Sequence, residues 1–245
     1  MDNKQNWATK LLYVGLITTI IGSLSVFFAG YGYQLDWWSF RGGFKIIPWG
    51  TGSAVLGGVI TTLGFFILKN RTRIQIGIGL LGILISATAL FNLGYWYNET
   101  KKGYPPIHDI TTDTDNPPSF VVIKELRKDA PNPAAYQGQK IANTQNSFYS
   151  GLETIELNAD FDQAFDLALE NVKKMPWTIV AEDRNEGRIE AYHKLAWFGF
   201  IDDVVIRVDS SSNKSLIDIR SKSRIGRGDL GVNAKRIRKY SSLFK

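Results

Sequence analysis

The chain has 245 residues, a net charge of +6 and no cysteine, and 44% of its residues are hydrophobic. The missing cysteines exclude disulfides, thiolate metal sites and cysteine nucleophiles. Lys and Arg residues beside apolar segments explain part of the positive charge, and no nucleic-acid-binding motif occurs, so we expect no nucleic-acid partner.

Three apolar stretches in the N-terminal part predict transmembrane helices, at about 11–30, 49–68 and 74–93. Each is long enough to cross a hydrocarbon core of about 30 Å. The first exceeds the usual core of a signal peptide, and two further spans follow it, so we interpret it as an anchor and not as a cleaved signal. Residues 1–98 are therefore predicted to form a three-helix anchor in a lipid bilayer.

Basic residues predict how these spans are oriented. Lys4 and Lys10 precede the first span, and Lys69, Arg71 and Arg73 occupy the short link between the second and third. Cytoplasmic segments are enriched in Lys and Arg, so the N-terminus and this link are predicted to be cytoplasmic. Interfacial aromatic residues agree with that orientation: Tyr31, Tyr33, Trp37, Trp38, Trp49, Tyr95, Trp96 and Tyr97. The C-terminal part is then predicted to be periplasmic, in a bacterial inner membrane.

The interior of the spans disfavours a transport function. They contain no ionisable residue, and a proton or ion pathway normally requires one. Small residues recur four positions apart, at Ala54 and Gly58 and at Gly82 and Ser86, which allows helices to approach closely. These faces are expected either to pack the three spans together or to contact a partner membrane protein.

Residues 99–150 are predicted to form an extended Pro/Asp-rich segment that packs on the domain after it. Pro, Asp and Thr are frequent between 103 and 118, and Pro131, Asn132 and Pro133 would interrupt a helix.

Residues 151–245 predict an α+β domain. Alternation at Ile155 and Leu157 indicates a short strand, and an apolar stripe indicates a helix over 161–175 with Asp160 as its N-cap. The remaining elements are strands at 177–182, 188–198, 204–208 and 216–223, a turn near 201–202, a polar hairpin loop at 210–214 and a helix at 229–243. This β-α-β-β-β-β-α order favours an antiparallel sheet with helices on one face.

Four strings resemble a bacterial family known as domain of unknown function 1499. They are YPPIHDITTDTDNPP at 104–118, EGRIEA at 186–191, WFGFIDDVVIRV at 197–208 and DIRSKSRIGRGDLGVNAKRIR at 218–238. The resemblance covers essentially all of residues 104–240. It implies an envelope-facing domain that sometimes follows membrane spans, and it implies no reaction and no catalytic residue.

One candidate site is a polar face of the predicted sheet. Strand alternation places polar and charged side chains on one side and Ile residues on the other. The candidate ligand-binding residues are Arg207, Arg220, Lys222, Glu190, Asp218 and Arg224. Arg suits the bidentate binding of carboxylate or phosphate, so the face is predicted either to bind an anionic ligand or to form cross-strand ion pairs.

A second candidate site comprises His108, Asp109 and Asp113. A histidine beside carboxylates can act as an acid or base or bind a metal, but such side chains also hydrogen-bond within their own turns. Because His193 is the only other histidine, we predict no metal and no cofactor.

Two further features lie near the C-terminus. The glycine-rich loop 223–233 precedes a helix and suits either an anion or a cap by Asp229. The final helix carries Lys235, Arg236, Arg238 and Lys239, which are predicted either to face water or to touch anionic lipid.

Three functions follow as hypotheses. The first is a membrane-anchored, non-enzymatic envelope domain that binds a protein partner or an anionic or lipid ligand. The second is an accessory subunit of an inner-membrane complex. The third is a hydrolase that uses His108, although no hydrolase motif occurs.

Overall fold

The computed structural model describes residues 3–211 and 214–245. Its residues form two compact units. The first holds the chain up to Lys102 together with Trp197–Gly199, and the second holds Gly103–Ala196 and Phe200–Lys245. Residues 212 and 213 of the predicted hairpin loop lie outside the described residues, whereas Ser210 and Ser211 belong to a strand.

The first unit contains three helices: α1 (Asn3–Gln34), α2 (Phe40–Ile67) and α3 (Arg73–Lys101). All three are long and apolar enough to cross a membrane, as the sequence predicts. The second helix begins earlier than predicted because the Ser39 side chain caps it, accepting a hydrogen bond from the Gly42 N–H. Arg41 and Lys45 therefore lie in α2 and not in a loop.

Small residues pack α1 against α2. They recur every seven positions on both helices and are buried: Ala8, Gly15, Gly22 and Ala29 on α1, and Gly43, Gly50, Gly57 and Gly64 on α2. A Cβ atom at Gly57 would lie 2.4 Å from the backbone nitrogen of Thr19, so the two backbones approach too closely for any side chain. Such close approach maximises van der Waals packing where lipid provides no hydrophobic drive.

The small residues named in the sequence also pack within this unit. A Cβ atom at Gly22 would meet the backbone of Ala54, one at Gly58 would meet Ser86, and one at Gly82 would meet Thr61. Self-packing of the three helices therefore occupies these positions, and a partner would need another face.

The second unit is built on an antiparallel sheet with the order β1-β6-β5-β4-β3. The strands are β1 (Asp109–Thr111), β2 (Ile155–Leu157), β3 (Thr178–Asp183), β4 (Arg188–Lys194), β5 (Ile201–Ser211) and β6 (Lys214–Ser223). One edge of β6 pairs with β5 throughout, so β1 and β2 share the other edge and lie end to end. The predicted β-α-β-β-β-β-α order after residue 151 is confirmed.

Two strand boundaries differ from the prediction. Strand β4 ends at Lys194, and β5 begins at Ile201. The chain turns between them, where the Leu195 N–H donates to the Phe200 carbonyl and Gly199 adopts a φ of +65°. Asp202 lies in a strand and not in the predicted turn, because Arg236 neutralises its carboxylate inside the fold.

Helices α6 (Phe161–Lys173) and α7 (Val232–Ser241) cover one face of the sheet and enclose the main apolar core. The predicted cap of α6 is confirmed, since the Asp160 carboxylate accepts from the Gln163 N–H at 2.9 Å. Helix α7 begins three residues later than predicted.

The region before residue 151 is more ordered than the predicted extended segment. It contains β1 and the helices α4 (Val122–Leu126) and α5 (Gln139–Phe148). Residues 113–136, here called the covering segment, lie on the second face of the sheet. Phe120 and Ile123 from this segment pack on Val205 of β5. The sheet is therefore covered on both sides by its own chain.

Candidate functional site

The polar face predicted from strand alternation exists, and it is buried beneath the covering segment. Cross-strand pairing sets Lys222 opposite both Asp109 and Asp203, and Arg207 opposite Asp218. Asp109, Asp203 and Lys222 are fully buried. Charges in such a place must be paired and hydrogen-bonded to be tolerated.

Asp109 is the centre of this face. Its carboxylate accepts from Arg220 Nε and Nη2, both at 2.8 Å, and from Lys222 Nζ at 2.9 Å. The two cations also donate to carbonyls of the covering segment: Arg220 to Pro118 and Ala134, and Lys222 to Ala135. The charges thus hold the covering segment on the sheet.

Asp203 forms a second centre beside the first. Arg224 donates to both of its carboxylate oxygens, with Nε 2.9 Å from Oδ2 and Nη2 2.8 Å from Oδ1. Arg127 Nη1 lies 3.0 Å from Asp203 Oδ2. Burial raises the pKa of Asp203, and hydrogen bonds and charge from Arg224, together with the charge of Arg127, oppose that shift.

These two centres carry excess positive charge. Four cations share two carboxylates: Arg220 and Lys222 with Asp109, and Arg127 and Arg224 with Asp203. Burial lowers the pKa of Lys222, Asp109 opposes the shift, and Arg220 and Arg127 add to it. The pKa of Arg127 is lowered by burial first, with Asp203 opposing and Arg224 adding. The cluster favours an additional anion.

The opposite end of the face is acidic. Arg207 pairs with Asp113, Asp209 and Asp218 at 3.0, 2.7 and 2.8 Å. Burial alone would raise the pKa of Asp113, but hydrogen bonds from the Asn116 N–H and from Arg207 outweigh it and lower the pKa. Charge is therefore segregated along the sheet, and an anion is favoured only near Asp109 and Asp203.

Glu190 has a separate role. Its carboxylate accepts hydrogen bonds from the Val121, Val122 and Ile123 N–H groups at 3.0, 3.1 and 2.8 Å. These are donors at the start of α4, which has no side-chain cap of its own. Glu190 therefore caps α4 from the neighbouring strand and fixes the covering segment in place.

A pocket of about 460 Å³ opens over the positive cluster. It is lined by Asn116, Pro117, Ser119, Phe120, Lys124, Ala134, Ala135, Tyr136 and Arg220. The Arg220 guanidinium carbon lies 5.0 and 5.2 Å from the ring centres of Phe120 and Tyr136. Arg220 is only 2% exposed, whereas Lys124 is exposed. The pocket thus offers one buried cation between two rings and one accessible cation.

The Tyr136 hydroxyl is a further group in this pocket. It is buried and has no hydrogen-bond partner within the described part of the chain. Burial, followed by the charge of Asp109, raises the pKa of Tyr136 to about 12, so the phenol is neutral at physiological pH and can donate. A buried donor without an acceptor is unfavourable, and an anionic acceptor in the pocket would satisfy it.

His108 is not assembled with the aspartates that the sequence placed beside it. Its Nδ1 lies 3.3 Å from the Arg227 carbonyl, whereas Asp109 is bound by Arg220 and Lys222, and Asp113 by Arg207. Burial lowers the pKa of His108. Among the described residues no group of three or more His, Cys, Asp and Glu residues is suited to a metal.

The glycine-rich loop and the last helix serve the fold. Asp229 accepts from the N–H groups of Gly231 and Asn233 at 2.9 and 2.7 Å, so it caps α7. Arg236 is buried and pairs with Asp202 at 2.6 Å, so it does not belong to the predicted accessible basic surface. Lys235, Arg238 and Lys239 are exposed.

The residues of this network lie in the four strings that carry the family resemblance. A family model described as "Protein of unknown function (DUF1499)" matches residues 109–244, more than half of the chain. The chain belongs to the DUF1499 family. The match begins at Asp109, the central carboxylate of the polar face, and the three apolar helices precede it. No curated protein matches the chain significantly.

Four residues of the site escaped the sequence reasoning: Arg127, Asp203, Lys124 and Tyr136. Asp203 had a usable signal, since it alternates with Val204 and lies on the same strand face as Arg207. The other three lie in a region without clear periodicity, and only the folding of the covering segment onto the sheet brings them to the site.

Proposed function

We propose that this DUF1499 chain is a membrane-anchored envelope protein whose second unit binds an anionic ligand in the pocket over Arg220. One observation carries the proposal: four buried or partly buried cations share two carboxylates directly beneath a pocket with Lys124 at its rim. A bound anion would offset this excess, because electrostatic attraction is strong where water is excluded.

The pocket chemistry favours a phosphate or carboxylate group. Lys124 supplies an accessible ammonium, Arg220 a guanidinium fixed by Asp109, and Tyr136 a neutral hydroxyl without an acceptor. These donors suit an oxyanion, and the Phe120 ring provides an apolar wall. The group is held by binding alone, so the proposal includes no reaction.

The same proposal places the second unit on the periplasmic side of a bacterial inner membrane. The basic residues at the N-terminus and in the link between α2 and α3 support it, since cytoplasmic segments are enriched in Lys and Arg. An accessory role in a membrane complex is the second candidate. It is favoured by α3, whose most apolar window is only 11% buried, against 33% in α2.

Titration of the detergent-purified full chain with glycerol 3-phosphate tests the binding proposal. Lys124→Ala should weaken binding about tenfold, the effect of losing about 1.4 kcal/mol from one charge-assisted contact. Lys128→Ala is the matched control, because Lys128 is exposed on the same segment and does not line the pocket. Equal affinities of the two variants, or no binding by the wild type, would contradict the proposal.

A further inference from the structure

Exposed apolar side chains stand beside the pocket. Val121, Val122 and Leu126 are 48%, 41% and 52% exposed, and they are interleaved in sequence with Phe120 and Lys124, which line the pocket. Elsewhere in the described part of the second unit, the exposed large apolar side chains are Phe148 and Leu230. The covering segment therefore concentrates accessible apolar surface next to the cationic site.

These side chains are held outward by the fold. Glu190 binds the backbone N–H groups of Val121 and Val122, while Ile123 occupies the inward position and is fully buried. The segment cannot rotate to bury Val121 and Val122 without exposing Ile123 and breaking the bonds to Glu190. The apolar surface is thus a fixed feature that only a partner or ligand can cover.

We infer that the anion bound in the pocket is the headgroup of a lipid, and that its apolar chains lie against Val121, Val122 and Leu126. This inference rests on the proposed function. A fully polar anion would leave these side chains in water, whereas an anionic amphiphile matches both the cations and the adjoining apolar surface. The three apolar helices of the chain indicate membrane association, which supplies such amphiphiles.

Local charge argues for a defined lipid site over loose adsorption. In the covering segment, Lys124 and Lys128 alternate with Glu125 and Asp129, so its outer surface carries no net charge. A diffuse basic surface is the usual basis of non-specific attraction to anionic bilayers. Selectivity for an anionic headgroup must therefore come from the pocket.

A matched set of soluble probes tests this inference on the full chain in neutral detergent. Dihexanoyl phosphatidate and glycerol 3-phosphate carry the same phosphomonoester, and only the first has acyl chains. Dihexanoyl phosphatidylcholine is the control for headgroup charge. The variants are Val121→Ser with Leu126→Ser, and Leu230→Ser as a control for an exposed apolar residue outside the covering segment. Affinity is measured by titration calorimetry.

The inference predicts that phosphatidate binds at least about tenfold more tightly than glycerol 3-phosphate. The Val121→Ser, Leu126→Ser double variant should lose that advantage and keep its affinity for glycerol 3-phosphate, while Leu230→Ser and wild type should agree. Equal affinity for both phosphates, or an unchanged double variant, overturns the lipid inference and leaves the proposed function intact. Failure of both phosphates to bind overturns both. Double-variant-sensitive binding of an acidic peptide in place of phosphatidate would assign the surface to a protein partner and overturn the inference.

Discussion

Asp109 is the residue on which the polar face depends. It is fully buried, and its carboxylate binds both Arg220 and Lys222. Asp109→Asn keeps the size of the side chain but leaves two buried cations without their anion. Removing one partner from a buried ion pair typically costs about 3–5 kcal/mol. We expect a loss of that order in the stability of the second unit, measured by thermal unfolding in detergent.

The control for that experiment is Asp115→Asn. Asp115 is exposed on the same segment, and only its backbone N–H is engaged, by Asp113. Its replacement should change stability by less than about 0.5 kcal/mol. If both variants unfold at the same temperature as the wild type, Asp109 does not hold the covering segment.

At the scale of elements, the pair α1–α2 depends on its glycines. In open helix positions Gly→Ala is stabilising by about 0.5–1 kcal/mol, because alanine restricts the unfolded chain. At Gly57 the added Cβ atom would meet the Thr19 backbone, whereas at Gly52 nothing lies within 4 Å. Gly57→Ala should therefore destabilise the first unit by about 1–3 kcal/mol, and Gly52→Ala should not. Thermal unfolding followed by tryptophan fluorescence distinguishes them, and equal midpoints would refute close α1–α2 packing.

The elements also show what could be predicted from the sequence. The order of strands and helices after residue 151 was predictable, because alternation at Ile217, Ile219 and Arg220 and the stripe of α6 are local signals. The charged side of β6 was predicted for the same reason. Its burial was not, because it depends on contacts between residues about a hundred positions apart, such as Arg220 with Pro118. Lys124 and Tyr136 therefore joined the site only in the folded structure.

At the scale of the whole molecule, the proposed orientation is directly testable. The chain has no cysteine, so single cysteines can be introduced without background. With Lys4→Cys and Lys140→Cys in separate intact cells, a membrane-impermeant maleimide that reaches the periplasm should label only position 140. Asn70→Cys, in the link between α2 and α3, should remain unlabelled with position 4. Labelling of position 70 but not of position 140 would reverse the proposed topology.

The central claim is that the pocket over Arg220 binds an anion through charge, and variants at Lys124 test it most directly. Lys124 is exposed, so its replacement leaves the buried ion pairs in place. In the glycerol 3-phosphate titration, we predict that Lys124→Arg retains affinity within a few fold and that Lys124→Glu reduces it by more than Lys124→Ala does. Affinities that are the same for arginine and glutamate at this position would contradict the account.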